Sequence, residues 1–169
     1  MSARSSPEAG SATRDSGHEV DGATMATIVA SRSLLGLVAQ SLAPALDEMT
    51  MPQFRVLVVL EGASPLRMSD LAERVGVHPS TLSRTVDRLV AGEWIQRASA
   101  EESRREVHVE LSDRGRALVA DVTDRRRSHI ARVLATLPRR DRIAVGRGMG
   151  LFAAAAGEAS AHDLLELGL

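Results

Sequence analysis

Residues 69–91 constrain this chain more than any other stretch. Ser69 precedes Asp70-Leu71-Ala72-Glu73-Arg74-Val75, a one-to-two-turn helix with a hydroxyl at the N-cap and an acid in its first turn. Gly76 ends it, because glycine enters the left-handed helix-closing conformation without a Cβ penalty. After a short connection Pro79 opens a second helix, Ser80 to about Val90, and Gly92 stops that one. Two short helices across a tight, glycine-bearing turn form a helix-turn-helix.

At about 100° per residue the second helix sorts its side chains into two faces. Leu82, Val86 and Leu89 share one face and should pack inward. Ser80, Thr81, Arg84, Asp87 and Arg88 lie opposite, with Ser83 on the flank. A helix that presents its N-terminal end to a DNA major groove needs such a surface. Arg bonds guanine O6 and N7 bidentately, Ser and Thr reach bases or phosphates, and the helix N-terminus favours a phosphate. An ordinary amphipathic helix with a solvated outer face carries the same residues, and Asp87 can mute Arg84 three positions away. The elements around the helix decide between these readings.

Trp94-Ile95-Gln96-Arg97 and the alternating Val107-His108-Val109-Glu110-Leu111 read as two strands. The charged, apolar-poor segment 98–106 is the hairpin loop between them. A helix-turn-helix followed by a β-hairpin is a winged helix-turn-helix. Its loop carries Glu101-Glu102-Ser103-Arg104-Arg105. An Arg at a wing tip can enter a narrow minor groove, where the potential is most negative. Taken alone, such a loop reads more often as a solvated charged turn.

The flanks are helical. From about Thr24, residues Ile28, Leu34, Leu35, Val38, Leu42 and Leu46 recur at three- and four-residue spacings, and Pro44 bends or stops that run. Thr50 and Pro52 start a short helix containing Phe54, Leu57, Val58 and Leu60, which 61–65 breaks. A long helix runs from Ser112 to about Leu137, and Pro138 separates it from a last one, Arg139 to Ala161. Gly146, Gly148 and Gly150 make that last helix weak in isolation, so packing must hold it. Residues 1–22 are Ser, Gly, Ala and charge, with Val20 the only large aliphatic after Met1, which predicts a disordered tail. The resulting division is a tail at 1–23, helical flanks at 24–48 and 112–169, and a winged helix-turn-helix, the candidate DNA-binding domain, at 49–111. The fold class is mostly α with a small β-hairpin.

Composition narrows the chemistry. The 169 residues include no cysteine, which excludes disulfides, thiolate catalysis and Cys-ligated zinc. Phe54, Trp94 and Phe152 are the only aromatics, too few for a surface that stacks single-stranded bases. The five histidines (18, 78, 108, 129 and 162) show no metal-ligand spacing, and His129 reads as a satisfied or surface side chain. Arg125-Arg126-Arg127 fans around its helix, with Asp121 placed to pair with Arg125. All basic residues are Arg, yet residues 64–112 hold seven Arg against eight acids. Binding must therefore draw on geometry and on two copies acting together. No nucleophile elbow, phosphate loop or dinucleotide turn appears, so no catalytic residue is assigned. The tail lacks the apolar segment of a secretory signal, and the longest unbroken apolar run, Leu151 to Ala156, is too short to span a bilayer. The expectation is a cytoplasmic protein that does not engage a membrane.

These residues resemble the MarR family (multiple-antibiotic-resistance regulators) over roughly residues 25–160. The resemblance rests on Pro52-Gln53-Phe54-Arg55-Val56-Leu57, on Ser69 to Glu73, on Ser80 to Leu89, on the Arg97 to Arg105 wing and on Leu111 to Arg116. It implies a homodimer built from both chain ends that binds double-stranded, pseudo-palindromic DNA, mostly as a repressor. Many relatives release DNA when a small phenolic or other lipophilic ligand binds. The family wing usually carries Asp, a variable residue and Arg; here Glu102-Ser103-Arg104 fills that pattern. Carried over residue by residue, Ser69 and Ser80 touch phosphate. His78, Thr81, Ser83, Arg84 and Arg88 face the major groove or its backbone, and Arg104 with Arg105 serves the wing. No cofactor or metal is implied beyond an unidentified effector. A constitutive or architectural DNA-binding protein of the same fold is the alternative.

Overall fold

In the computed structural model, residues 9–99 and 107–157 are described. They run α1 (Ala9–Glu48), α2 (Met51–Ala63), β1 (Leu66–Arg67), α3 (Met68–Val75), α4 (Pro79–Ala91), β2 (Ile95–Ser99), β3 (Val107–Leu111), α5 (Asp113–Ala135) and α6 (Arg139–Ala155). The fold is mostly helical with one small antiparallel sheet, as expected. The chain divides into two units at Ala39/Gln40.

The first unit is the greater part of α1. The helix starts at Ala9, not near Thr24, so much of the segment expected to be a disordered tail continues it. Once a helix exists, each added residue gains a hydrogen bond without a new nucleation cost. The Thr24 and Thr27 hydroxyls donate to the carbonyls of Val20 and Ala23 at 2.8 Å. Pro44 lies inside α1 and does not end it. Within His18–Glu48 a stretch is long and apolar enough, by length and composition alone, to cross a membrane, which corrects the expectation drawn from unbroken runs. Ser31, Arg32 and Ser33 interrupt that stretch, and a charged group in a bilayer interior is costly.

The second unit holds the core. The last turns of α1 contribute Leu42 and Ala45, Met49 follows directly, and α2 buries Phe54 and Val56 to Leu60. Leu71, Leu82, Val86, Leu89, Ile95, Val109, Leu111, Val119 and Val122 complete it. Each fully buried Leu or Val contributes about 1.5–3 kcal/mol relative to exposure. Thr50 starts α2 as expected; its N–H donates to Gln53 Oε1 at 2.8 Å.

The sheet order is β1-β3-β2, antiparallel throughout. Ile95 pairs with Leu111 and Arg97 with Val109, while Leu66 pairs with Val109 on the other edge of β3. Two-residue β1 is too short to show alternation, so nothing local announces it. Its pairing with β3 ties the start of α3 to the hairpin.

One junction locks the hairpin to α5. Ser112 caps α5: its Oγ accepts the Gly115 N–H at 3.0 Å and donates to the Glu93 carbonyl at 2.6 Å. The Ser112 N–H donates to the Trp94 carbonyl at 3.2 Å. A Cβ on Gly115 would lie 2.1 Å from that same carbonyl oxygen, so only glycine fits. The Arg114 guanidinium stacks 3.8 Å above the Trp94 ring and donates to the Gly92 carbonyl at 3.0 Å.

α6 buries none of its side chains within this chain. Ile143, Val145, Met149, Leu151 and Phe152 are exposed. The helix ends at Ala155, and residues 158–161 of the longer helix expected there lie outside the described residues.

Candidate nucleic-acid interface

The two helices of the motif are amphipathic and pack on the core through short apolar stripes. α3 buries Leu71, Ala72 and Val75. Gly76 closes it at φ 73°, donating its N–H to the Ala72 and Glu73 carbonyls at 3.0 Å. Ser69 is not the cap. β1 leads directly into the helix, the chain turns at Arg67, and Ser69 falls inside the first turn. Its exposed hydroxyl donates to Asp70 Oδ1 at 2.9 Å.

α4 buries Leu82, Val86 and Leu89 and exposes Ser80, Thr81, Ser83, Arg84, Asp87 and Arg88, the division expected from periodicity. At 1.5 Å per residue, His78 to Arg88 spans about 15 Å, the scale of a groove-inserted segment. His78 is the N-cap. Its Nδ1 accepts the Ser80 N–H at 3.3 Å and sits 2.8 Å from Ser80 Oγ. A neutral ring that accepts at Nδ1 carries its proton on Nε2. The expected free N-terminal amide is thus partly occupied: His78 takes the Ser80 N–H, and the Thr81 N–H turns back to the His78 carbonyl at 2.9 Å.

Asp87 does not pair with Arg84. Its Oδ1 accepts from Arg97 Nη2 on β2 at 2.6 Å. Arg84 and Arg88 have no acidic partner among the described residues. The structure therefore brings His78, Ser80, Thr81, Ser83, Arg84 and Arg88 onto one helix, with Ser69 on the helix packed against it. Arg104 and Arg105 of the wing lie outside the described residues. Sequence reading missed Arg97, because its partner is ten positions away on another element. Strand alternation holds the only hint, placing Arg97 on the side of buried Ile95.

Away from α4, the arginine triplet on α5 fans as expected. Arg125 donates to Asp121 at 2.7 Å, and this hydrogen bond, reinforced by the carboxylate charge, raises its pKa above the usual value. Arg126 is half-buried and desolvation lowers its pKa, while Arg127 stays exposed, 3.7 Å from Asp124. The nitrogens Arg55 Nε, His108 Nδ1, Arg126 Nε and His129 Nδ1 are buried with no hydrogen-bond partner among the described residues. His129, expected as a satisfied or surface side chain, is half-buried, and its Nδ1 has no partner among the described residues.

Comparison with known proteins agrees with this geometry. A family model described as "MarR family" matches residues 49–107, which run from just before α2 to the start of β3. An uncharacterised HTH-type transcriptional regulator, YfiV of Bacillus subtilis (strain 168), is 30% identical over 108 residues, covering 64% of this chain and 68% of that protein. The crystal structure of RV1404 from Mycobacterium tuberculosis superposes with a TM-score of 0.75 at 37% identity, covering 94% of this chain and 99% of that one. A mutant of S. aureus MepR bound to oligodeoxyribonucleotide shares the fold, with a TM-score of 0.63 at 16% identity over 79% of this chain and 96% of that one.

Proposed function

The chain belongs to the MarR family of helix-turn-helix transcriptional regulators, and we propose that it is a homodimeric repressor of a pseudo-palindromic operator, released by a small lipophilic or phenolic ligand. The observation that carries this reading is α4: three fully buried apolar residues fix it to the core while Ser80, Thr81, Ser83, Arg84 and Arg88 stand exposed and free of acids among the described residues. MepR, which shares this fold, has been captured on an oligodeoxyribonucleotide. Arg84 and Arg88 supply bidentate donors for guanine or phosphate, and the short hydroxyl side chains let the N-terminal end of the helix approach closely.

Pairing of two copies is supported by the apolar side chains left uncovered on α1 (Met25, Val29, Leu35) and on α6 (Ile143, Leu151, Phe152). Exposed apolar side chains that gather into a large patch mark an interaction surface. A dimer also answers the near-neutral charge of the motif, since two half-sites add their binding energies. With one α4 per half-site, the half-sites lie about 34 Å apart, one helical turn. The reading involves no chemical step, and it places the protein in the cytoplasm with the DNA.

The test is selection of bound fragments from the source genome, followed by titration of the enriched duplex with and without phenolic carboxylates. A symmetric site bound by a dimer and released by one such ligand is the expected result. Binding that no ligand weakens would instead assign a constitutive DNA-binding role. Absence of any enriched sequence would refute the regulator reading.

A further inference from the structure

We propose that Arg97 is a positioning residue for DNA recognition: by binding Asp87 across the α4–β2 contact, it takes the one acidic charge on the exposed face of α4 out of competition with DNA. The inference rests on the DNA-binding reading above and names a residue that reading does not use.

Helical spacing sets the problem. Arg84, Asp87 and Arg88 are three and four residues apart on one face. Acid and base at such spacing attract each other on a helix surface. Left to itself, Asp87 would hold Arg84 against the helix or stand as a bare negative charge beside phosphates. Like charges facing each other across an interface cost several kcal/mol.

Strand geometry supplies the solution. Ile95 is buried against the core, and Arg97, two residues on, lies on the same face of β2. Gln96, on the opposite face, is bonded instead to Glu110 at 2.6 Å. From there the Arg97 side chain reaches Asp87 at 2.6 Å, a charge-assisted hydrogen bond of short length. The side chains of both partners remain more than half exposed, 55% for Arg97 and 59% for Asp87. An exposed pair adds little to stability, so its consequence is local charge rather than folding. With Asp87 engaged, the outer face of α4 presents two guanidinium groups, Arg84 and Arg88, that have no acidic partner among the described residues. The same bond ties the first strand of the wing to the recognition helix, so the two DNA-contacting elements keep a fixed relation.

The experiment is a double-mutant cycle on the full-length protein, read by fluorescence anisotropy with the selected operator duplex at several salt concentrations. Arg97→Met keeps the aliphatic stem and removes the charge. It is expected to weaken binding roughly tenfold with an unchanged melting temperature. Asp87→Asn alone leaves binding within about twofold, and Asp87→Asn combined with Arg97→Met restores it. Arg97→Lys, which keeps a charge for Asp87, retains most of the affinity. If the double variant binds as weakly as Arg97→Met and the salt slope falls by about one, Arg97 contacts phosphate itself and the inference is wrong. Unchanged binding in Arg97→Met also overturns it, while leaving the regulator reading intact. A wild-type chain that binds no duplex refutes both.

Discussion

Gly115→Ala tests the junction that holds the wing. The added Cβ would sit 2.1 Å from the Trp94 carbonyl oxygen and 3.2 Å from Leu111 Cδ2. Carbon and oxygen atoms need about 3.2 Å, so α5 or the Trp94 peptide must move by roughly 1 Å, more than a packed interior absorbs freely. Neither is free to move. The Ser112 N–H holds the same oxygen at 3.2 Å, and Ser112 Oγ holds Gly115 N at 3.0 Å and the Glu93 carbonyl at 2.6 Å. Loss of two of these hydrogen bonds costs about 1 kcal/mol each, and overpacking adds about 1–3 kcal/mol. The expected destabilisation is about 3–5 kcal/mol. At about 2–4 °C per kcal/mol for a chain of this size, the midpoint should fall by roughly 6–20 °C. Thermal unfolding followed by circular dichroism measures it, at one fixed protein concentration because a dimer's midpoint depends on concentration. Gly76→Ala is the comparison. There the space is open but φ is 73°, so backbone strain alone costs about 1–2 kcal/mol. A Gly115→Ala midpoint within about 2 °C of wild type, or above that of Gly76→Ala, would show that the close approach does not constrain the fold.

Other outcomes follow from the α4 surface and the wing. Arg84→Ala should relax preference at a single base pair by about 1–3 kcal/mol if its contact is bidentate; equal losses on every sequence in a binding-site library would assign it to phosphate. Arg104→Ala should weaken operator binding at physiological salt, and an unchanged affinity would remove it from the minor groove. His78→Ala should cost about 1 kcal/mol through loss of the α4 cap, measured in urea. His78→Asp should recover that stability yet bind DNA more weakly, since it keeps the acceptor but sets a negative charge beside phosphates. Equal DNA affinity for His78→Asp and wild type would place residue 78 away from the backbone.

Much of the molecule was legible from the sequence because its signals are local. Gly76, Pro79 and Gly92 punctuate the backbone through their own φ preferences, and the spacing of Leu82, Val86 and Leu89 specifies which side of α4 turns inward. Ser112 announces its cap by residue type, and α5 begins where that cap places it. The exposed set on α4 is what remains once the apolar stripe is removed, so the candidate surface could be named without coordinates. Amphipathic periodicity requires only the residues of one helix.

Other features belonged to the tertiary structure alone. The β1 edge strand exists because Leu66 and Arg67 find β3, forty positions on, and two residues carry no period of their own. The start of α1 at Ala9 reflects propagation from an established helix rather than any local apolar pattern. Asp87 had two candidate partners within reach of its charge. The nearer in sequence was Arg84, yet the packing of β2 against α4 brought Arg97 to it. Nothing in the residues around Gly115 marks it, and only the Trp94 carbonyl packed over it excludes a Cβ there. Sequence determines which faces must be buried, since hydrophobicity and backbone preference are properties of each residue. Only folding decides which charge meets which, because Coulomb and hydrogen-bond partners are chosen by distance in space.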